Sequence, residues 1–421
     1  MKSRRSFLKE IAAGAALLPV ALEETAHAGA PLGASLSETT LDGEAYWQLV
    51  RAQFSFTENK VPMNAANLCP SSRAVSERVS ELTADIDRDC SFQNRSKFSE
   101  LLEESRQKVA QQMGVSADEI ALVRNTSEAN NTINNGLSLE EGDEVLLWDQ
   151  NHPTNNVAWD VRAARFGLTV KRVSTPKQPK TTQELIDTFT SGFTAKTKVL
   201  SITHVSNLSG IKLPAKEIIA AARARGIYVH LDGAQSWGAL DVNLRELDCD
   251  SYSASAHKWF MGPKEAGLLY VKADNIPRIW PNVVAPGWGD DVDPDPRGAR
   301  KFESLGQRDD ACLAAVGTTV DFHNSIGAAR VEARMMELAT ALKEGIAGAG
   351  LTLVTPMPAE LSGGVCITEV PAGQGREMMN RLYQEHGIAA APTGGLRICP
   401  HTYNTMEHVQ RAVAGVKALL A

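Results

Sequence analysis

Between residues 115 and 270 short apolar runs alternate with stretches of helical spacing, and this alternation restricts the fold more than any other feature of the chain. Glu119 to Val123, Glu144 to Trp148, Leu168 to Val170, Thr197 to Thr203 and Gly226 to Leu231 have the length and β-branched content of buried strands. Two further runs, Asp250 to Ser255 and Gly267 to Tyr270, continue the series. Phe98 to Met113 carries apolar residues on one helical face and stops at Gly114, and Pro214 to Arg225 stops at Gly226. Strands that are apolar throughout and joined through helices make a mostly parallel sheet covered on both faces, so the fold class is α/β. Such sheets bind ligands at the carboxyl ends of their strands, and the residues there are the candidates for chemistry.

Two of those ends stand out. One run closes on Asp232, followed by Gly233, Ala234 and Gln235; another leads through Ser255, Ala256 and His257 to Lys258. Taken singly, a strand-end Asp caps a helix and a Lys is solvated. Taken together, they are the pair that pyridoxal 5'-phosphate (PLP) needs. A lysine amine holds its aldehyde as a Schiff base, and an anion keeps its pyridine nitrogen protonated so that the ring takes up electrons from a substrate carbanion. The spacing resembles the class V branch (cysteine desulfurase and isopenicillin N epimerase-like) of the fold-type-I PLP enzymes, which carry Asp-x-Ala-Gln and Ser-x-His-Lys at these places. The resemblance spans about residues 60–410 and is strongest from Thr203 to Tyr270. It implies Lys258 as the Schiff-base lysine, Asp232 as the pyridinium partner, Gln235 as a donor to the ring hydroxyl, and Ser255 and His257 on the phosphate.

Other stretches extend the resemblance. After the run ending at Val123, Thr126 and Ser127 open a helix and offer hydroxyls and backbone N–H groups to an anion, or simply cap it; the resemblance implies the phosphate. It implies that His152 stacks on the ring and relays a proton, where the alternative is a surface histidine. Trp159 keeps the same register with desulfurases. His204 to Gly210 is close to the family's His-Val-Ser-Asn-x-x-Gly, which implies Asn207 on the ring hydroxyl. Val61 to Asn67 resembles an Asn-Ala-Ala entry near the substrate, with Asn67 as the candidate; it would also make a turn. Phe302 to Asp309 resembles a stretch that reaches the phosphate of the other subunit, with Gln307 where Thr is usual; a backbone contact survives that change and a hydroxyl contact does not. A homodimer is implied. Arg397 matches the arginine that forks onto the substrate α-carboxylate, the alternative being a structural ion pair.

Desulfurases carry a nucleophilic Cys shortly before that arginine. Here no Arg-x-Gly-x-x-Cys precedes Arg397, and Cys399 follows it on an apolar run that belongs in the core. Without an exposed thiolate, persulfide transfer lacks a carrier. Chemistry at Cα of an amino acid or amine, by transamination or epimerisation, is therefore the leading expectation, with Lys258 as base and Asp232 and His152 assisting. A lyase or desulfurase-like enzyme is the alternative, and a PLP-fold binding protein without turnover or a non-PLP α/β protein stay open.

A net charge of −7 and a pI near 5.8 argue against a nucleic-acid footprint. The start of the chain differs from the rest. Arg4 and Arg5, the apolar stretch Ile11 to Leu22 and the closing Ala26 to Ala28 make an export signal of twin-arginine type, residues 1–28, too short for a stable membrane anchor. The expected destination is the periplasm, by way of the twin-arginine machinery. Residues 29–60 are expected to pack on the small domain, 61–300 to form a large PLP-binding domain and 301–421 a small C-terminal α/β domain. Six scattered cysteines show no metal spacing, so no metal is expected.

Overall fold

The computed structural model describes residues 36, 39–285 and 298–420, which form one compact unit. The expected export signal, and most of the Pro- and Gly-rich stretch between Trp280 and Arg300, lie outside the described residues.

A seven-stranded sheet forms the centre. Its strands are β1 (Ile120–Val123), β2 (Glu144–Trp148), β3 (Thr169–Val173), β4 (Thr197–Thr203), β5 (Tyr228–Asp232), β6 (Ser251–Ser255) and β7 (Gly267–Val271). They lie in the order β1-β7-β6-β5-β4-β2-β3. All neighbouring pairs are parallel except the two that β7 makes, with β6 and β1. The reason is the connection: ten residues or so between β6 and β7 hold no helix, and a parallel return needs a longer crossover. Every residue of β1, β2, β6 and β7 is buried, as a sheet covered on both faces requires.

Helix α1 (Lys97–Met113) ends on Gly114 in the left-handed conformation, φ 73°, the stop expected from its sequence. Helix α2 (Thr126–Gly136) follows β1, and α3 (Pro153–Phe166) follows β2 with His152 at its N-cap. Helix α4 (Asp310–Ile326) packs on α1. Trp159, on α3, is fully buried in an apolar cluster with Val145, Leu147 and Val199. Farther along, β8 (Cys366–Thr368) and β9 (Leu396–Ile398) pair antiparallel. Residues Tyr46, Trp47, Val50 and Phe54 share a core with Val365, Ile367 and Tyr403. Among the described residues no helix is long and apolar enough to cross a membrane, and no group of His, Cys, Asp and Glu could hold a metal ion.

Candidate active site

Asp232 is the last residue of β5 and is 1% exposed. The chain turns at once, because a Cβ on Gly233 would lie 1.8 Å from the Tyr252 ring; only glycine lets β5 end against that ring. The carboxylate accepts from the Ala234 N–H through Oδ1 (3.0 Å) and from Asn130 Nδ2 through Oδ2 (2.9 Å). Asn130 lies on α2 and was not marked by any sequence motif.

Lys258 stands in the turn after β6. The turn is tied from several directions: the Met261 N–H donates to the Lys258 carbonyl, and the Gly262 N–H to that of Ala256. Buried His401 and His323 hydrogen-bond through Nε2 to the carbonyls of Trp259 and Phe260, each at 2.8 Å. Phe260 stacks between Trp237 and His323. Met261 has φ 56°, a left-handed conformation that costs a non-glycine residue about 1 kcal/mol, and these ties hold it there. The Lys258 amine itself has no hydrogen-bond partner among the described residues. Burial lowers its pKa, which Asp232 opposes and Arg397 reinforces. The His152 imidazole is likewise lowered, by burial first and then by Lys258, while Asp232 pulls the other way and Arg397 adds to the fall. Lys258, Asp232, His152 and Arg397 therefore lie within electrostatic reach of one another, although 245 residues separate the first and last of them in sequence (397 − 152). His152 Nδ1 is bound to the Thr154 hydroxyl at 2.8 Å and accepts from the Thr154 N–H at 3.3 Å, and Nε2 has no partner among the described residues.

Arg397, on β9, is 4% exposed. Its two terminal nitrogens donate to the Asn207 carbonyl (3.1 Å) and to Asn64 Oδ1 (3.2 Å), and Nε has no partner. Among the described residues no carboxylate forms an ion pair with it. No structural salt bridge among the described residues explains this arginine, and a buried guanidinium without a counter-charge calls for an anion. Asn64 rather than Asn67 is the residue of the Asn-Ala-Ala turn that meets Arg397; Asn67 is exposed at the end of the same turn. A bridge between Asn64 and Cys399 sets that offset. A cleft runs past Leu208, the residue after Asn207, with Gln150, Ser209, Arg376 and Gly394 among its walls.

On the other side, the Thr126 N–H donates to Ser255 Oγ (2.8 Å), and the two hydroxyls are 2.6 Å apart. Ser127 is exposed in the first turn of α2. His257 Nδ1 is bound to the Lys264 carbonyl, and burial pushes its pKa down to about 4. Its Nε2 thus donates to an anion only when protonated, which a nearby phosphate would favour. Gln235 accepts from the Trp259 indole (2.7 Å) and gives one amide hydrogen to the Ala66 carbonyl (3.0 Å), leaving one for a ligand. The Asn207 side chain has no partner among the described residues. Gln307 is exposed and accepts from the Arg95 guanidinium at 2.6 Å.

The family model for class V aminotransferases matches residues 72–414. The chain belongs to the class V aminotransferase family. The isopenicillin N epimerase of Amycolatopsis lactamdurans is 30% identical over 392 residues, covering 89% of this chain and 98% of that one. Among solved structures, the apo cysteine desulfurase of Thermococcus onnurineus superposes with a TM-score of 0.79 at 22% identity, over 89% of this chain and 98% of that one. A variant of C-DES with glycine covalently linked to its PLP cofactor gives 0.78 at 23% identity, over 87% and 98%. The fold is that of the fold-type-I PLP enzymes, and the class V protein is a PLP-dependent enzyme. Its residues fit the cofactor. The amine of Lys258 has no competing partner, the Asp232 carboxylate is anchored, and Thr126 and Ser255 converge where a helix begins.

Proposed function

We propose that this class V enzyme acts at Cα of a carboxylate-bearing amino acid, by epimerisation or transamination. One observation supports the reading best: Arg397 is buried without a carboxylate partner and lies within electrostatic reach of an unpartnered Lys258 amine. Bound PLP supplies the electron withdrawal that makes a Cα–H acidic. Arg397 would grip the α-carboxylate with its free edge and so fix the direction of that C–H bond. Lys258, desolvated and lowered in pKa, would accept the proton at its Nζ. His152 is neutral near pH 7 for the same reason; its Nδ1 accepts from the Thr154 N–H, so Nε2 carries the proton and can donate it. Asp232 would keep the ring nitrogen protonated.

The cysteines disfavour the desulfurase alternative. Cys69, Cys249, Cys366 and Cys399 are buried, and burial raises the thiol pKa of each. Half-buried Cys312 is pushed up to about 12, and Cys90 is turned to the Ile86 carbonyl on the helix that precedes it. Five of the six are thus buried or half-buried with raised thiol pKa values, whereas a sulfur-accepting nucleophile requires exposure and a lowered one.

The test is a panel of L- and D-amino acids with the purified PLP-loaded enzyme in deuterated water. Deuterium at Cα with inversion supports epimerisation, and transfer of the amino group to a keto acid supports transamination. Release of sulfide from cysteine with no Cα exchange on any other substrate would overturn the reading. We propose further that the enzyme is a homodimer in which Gln307 serves the partner's phosphate site, and that it reaches the periplasm folded, through its twin arginines; the motifs in the sequence are the support for both.

A further inference from the structure

Behind Asp232 lies a row of buried polar side chains that the chemistry above does not use. His230 precedes Asp232 by two residues and so faces the same side of β5; Ser251 and Ser253 face that side of β6, opposite His230 and Asp232 in register. Asn130 comes in from α2. Asn130 and Asp232 are 1% exposed, and His230, Ser251 and Ser253 are 0% exposed.

We propose that Asn130 and His230 are positioning residues that hold Asp232 in its ionised form for the cofactor's ring nitrogen. The inference rests on the reading that PLP binds with that nitrogen against Asp232. An ionised carboxylate only accepts hydrogen bonds. Asn130 must then turn its NH2 toward Asp232 Oδ2, 2.9 Å away; the reverse orientation would set two oxygens against each other. Asn130 Oδ1 consequently faces His230 Nε2 at 2.9 Å and the Ser253 hydroxyl, and both must donate to it. His230 is thereby the Nε2–H tautomer, and its Nδ1 accepts from the Ser251 hydroxyl at 2.8 Å. All the bonds run one way, from Ser251 through His230 and Asn130 to Asp232. A proton on Asp232 Oδ2 would collide with the last of them. The groups facing Asp232 from other elements are Lys258, His152 and the Tyr252 hydroxyl. Burial holds the imidazole of His230 at about 4, so it stays a neutral donor through the physiological range.

The experiment compares Asn130→Leu, His230→Leu and His230→Gln as PLP-loaded proteins, reading the pH midpoint of the bound cofactor's absorbance, the PLP dissociation constant and the melting temperature. A hydrogen bond to a charged group is worth enough to move the midpoint by about one pH unit or more and to weaken PLP binding about tenfold in both leucine variants. His230→Gln keeps an N–H donor and returns both readings toward the wild type. A folded leucine variant with wild-type midpoint and affinity overturns the inference, and so do His230→Leu and His230→Gln that behave alike. If the leucine variants do not fold, imidazole nitrogen NMR shifts of the wild type decide: a neutral Nε2–H His230 supports the relay, and an Nδ1–H or protonated ring overturns it. Wild-type protein that takes up no PLP would instead sink the reading of the site itself.

Discussion

The two ends of this site differ in how their polar groups are satisfied. At the Asp232 end each carboxylate oxygen has a donor, and the donor on Oδ2 is itself oriented by a buried histidine and serine. At the Lys258 and Arg397 end the amine has no partner among the described residues, Arg397 Nε is unsatisfied, and no carboxylate neutralises the guanidinium. Native interiors satisfy nearly all of their buried polar groups, so the exceptions mark where another molecule completes the structure. The closed end is built for a group that arrives once and stays. The open end is built for groups that come and go, and it is destabilising until they arrive.

Substitutions separate the two ends. Lys258→Met should have the largest effect on turnover, removing a base worth roughly ten-thousand-fold, and should also abolish the yellow colour of the PLP-loaded protein. Its melting temperature should not fall, because a desolvated amine is replaced by an apolar chain of similar length; calorimetry on the PLP-free protein checks this. Arg397→Met comes next, with kcat/KM for carboxylate-bearing substrates down about 100- to 1,000-fold and again no loss of melting temperature. A variant that loses stability as well as activity would show that this end is structural after all.

Acid should act through the buried histidines on both sides of the site. His204, His230 and His323 are pushed down by burial to about 4, and His401 to about 3, against an ordinary value of 6.5. Between pH 6.5 and 4 the unfolded chain binds protons that the folded one refuses, so stability falls as pH falls, by about 1.4 kcal/mol per pH unit for each histidine. Above that window these groups contribute no slope. Urea unfolding across pH 4 to 8 measures it, and a flat profile below 6.5 would contradict the burial of these rings. The smallest effect is expected for Cys90→Ser and Cys312→Ser, which should leave the rate unchanged and shift stability within about 0.5 kcal/mol; lost turnover in either would revive a sulfur-transfer mechanism.

Much of the open end, and Asp232 of the closed one, was legible in the sequence: Asp232 and Lys258 are charged residues where apolar or small-residue strands end, and Arg397 was legible through the family resemblance. The parallel sheet was legible for the same reason that its strands are apolar on both faces. The residues behind Asp232 were not. His230 reads as one more member of a buried run, and Asn130 as an ordinary helix residue; they meet only through the register of β5 on β6 and the approach of α2. A faint signal existed in a histidine two positions before the aspartate, with serines at the same alternation on the next strand. Asn64 was passed over for Asn67 because a turn's sequence does not tell which of its asparagines points inward. Gln307 is exposed and bound to Arg95 in its own chain, so its role rests on the motif alone.

The most direct test is chemical. Borohydride reduction of the PLP-loaded protein, followed by digestion and mass mapping, should place the pyridoxyl group on the peptide that carries Lys258 and nowhere else. A label on any other lysine, or none after full loading with PLP, would contradict the assignment from which the roles of Asp232, His152 and Arg397 all descend.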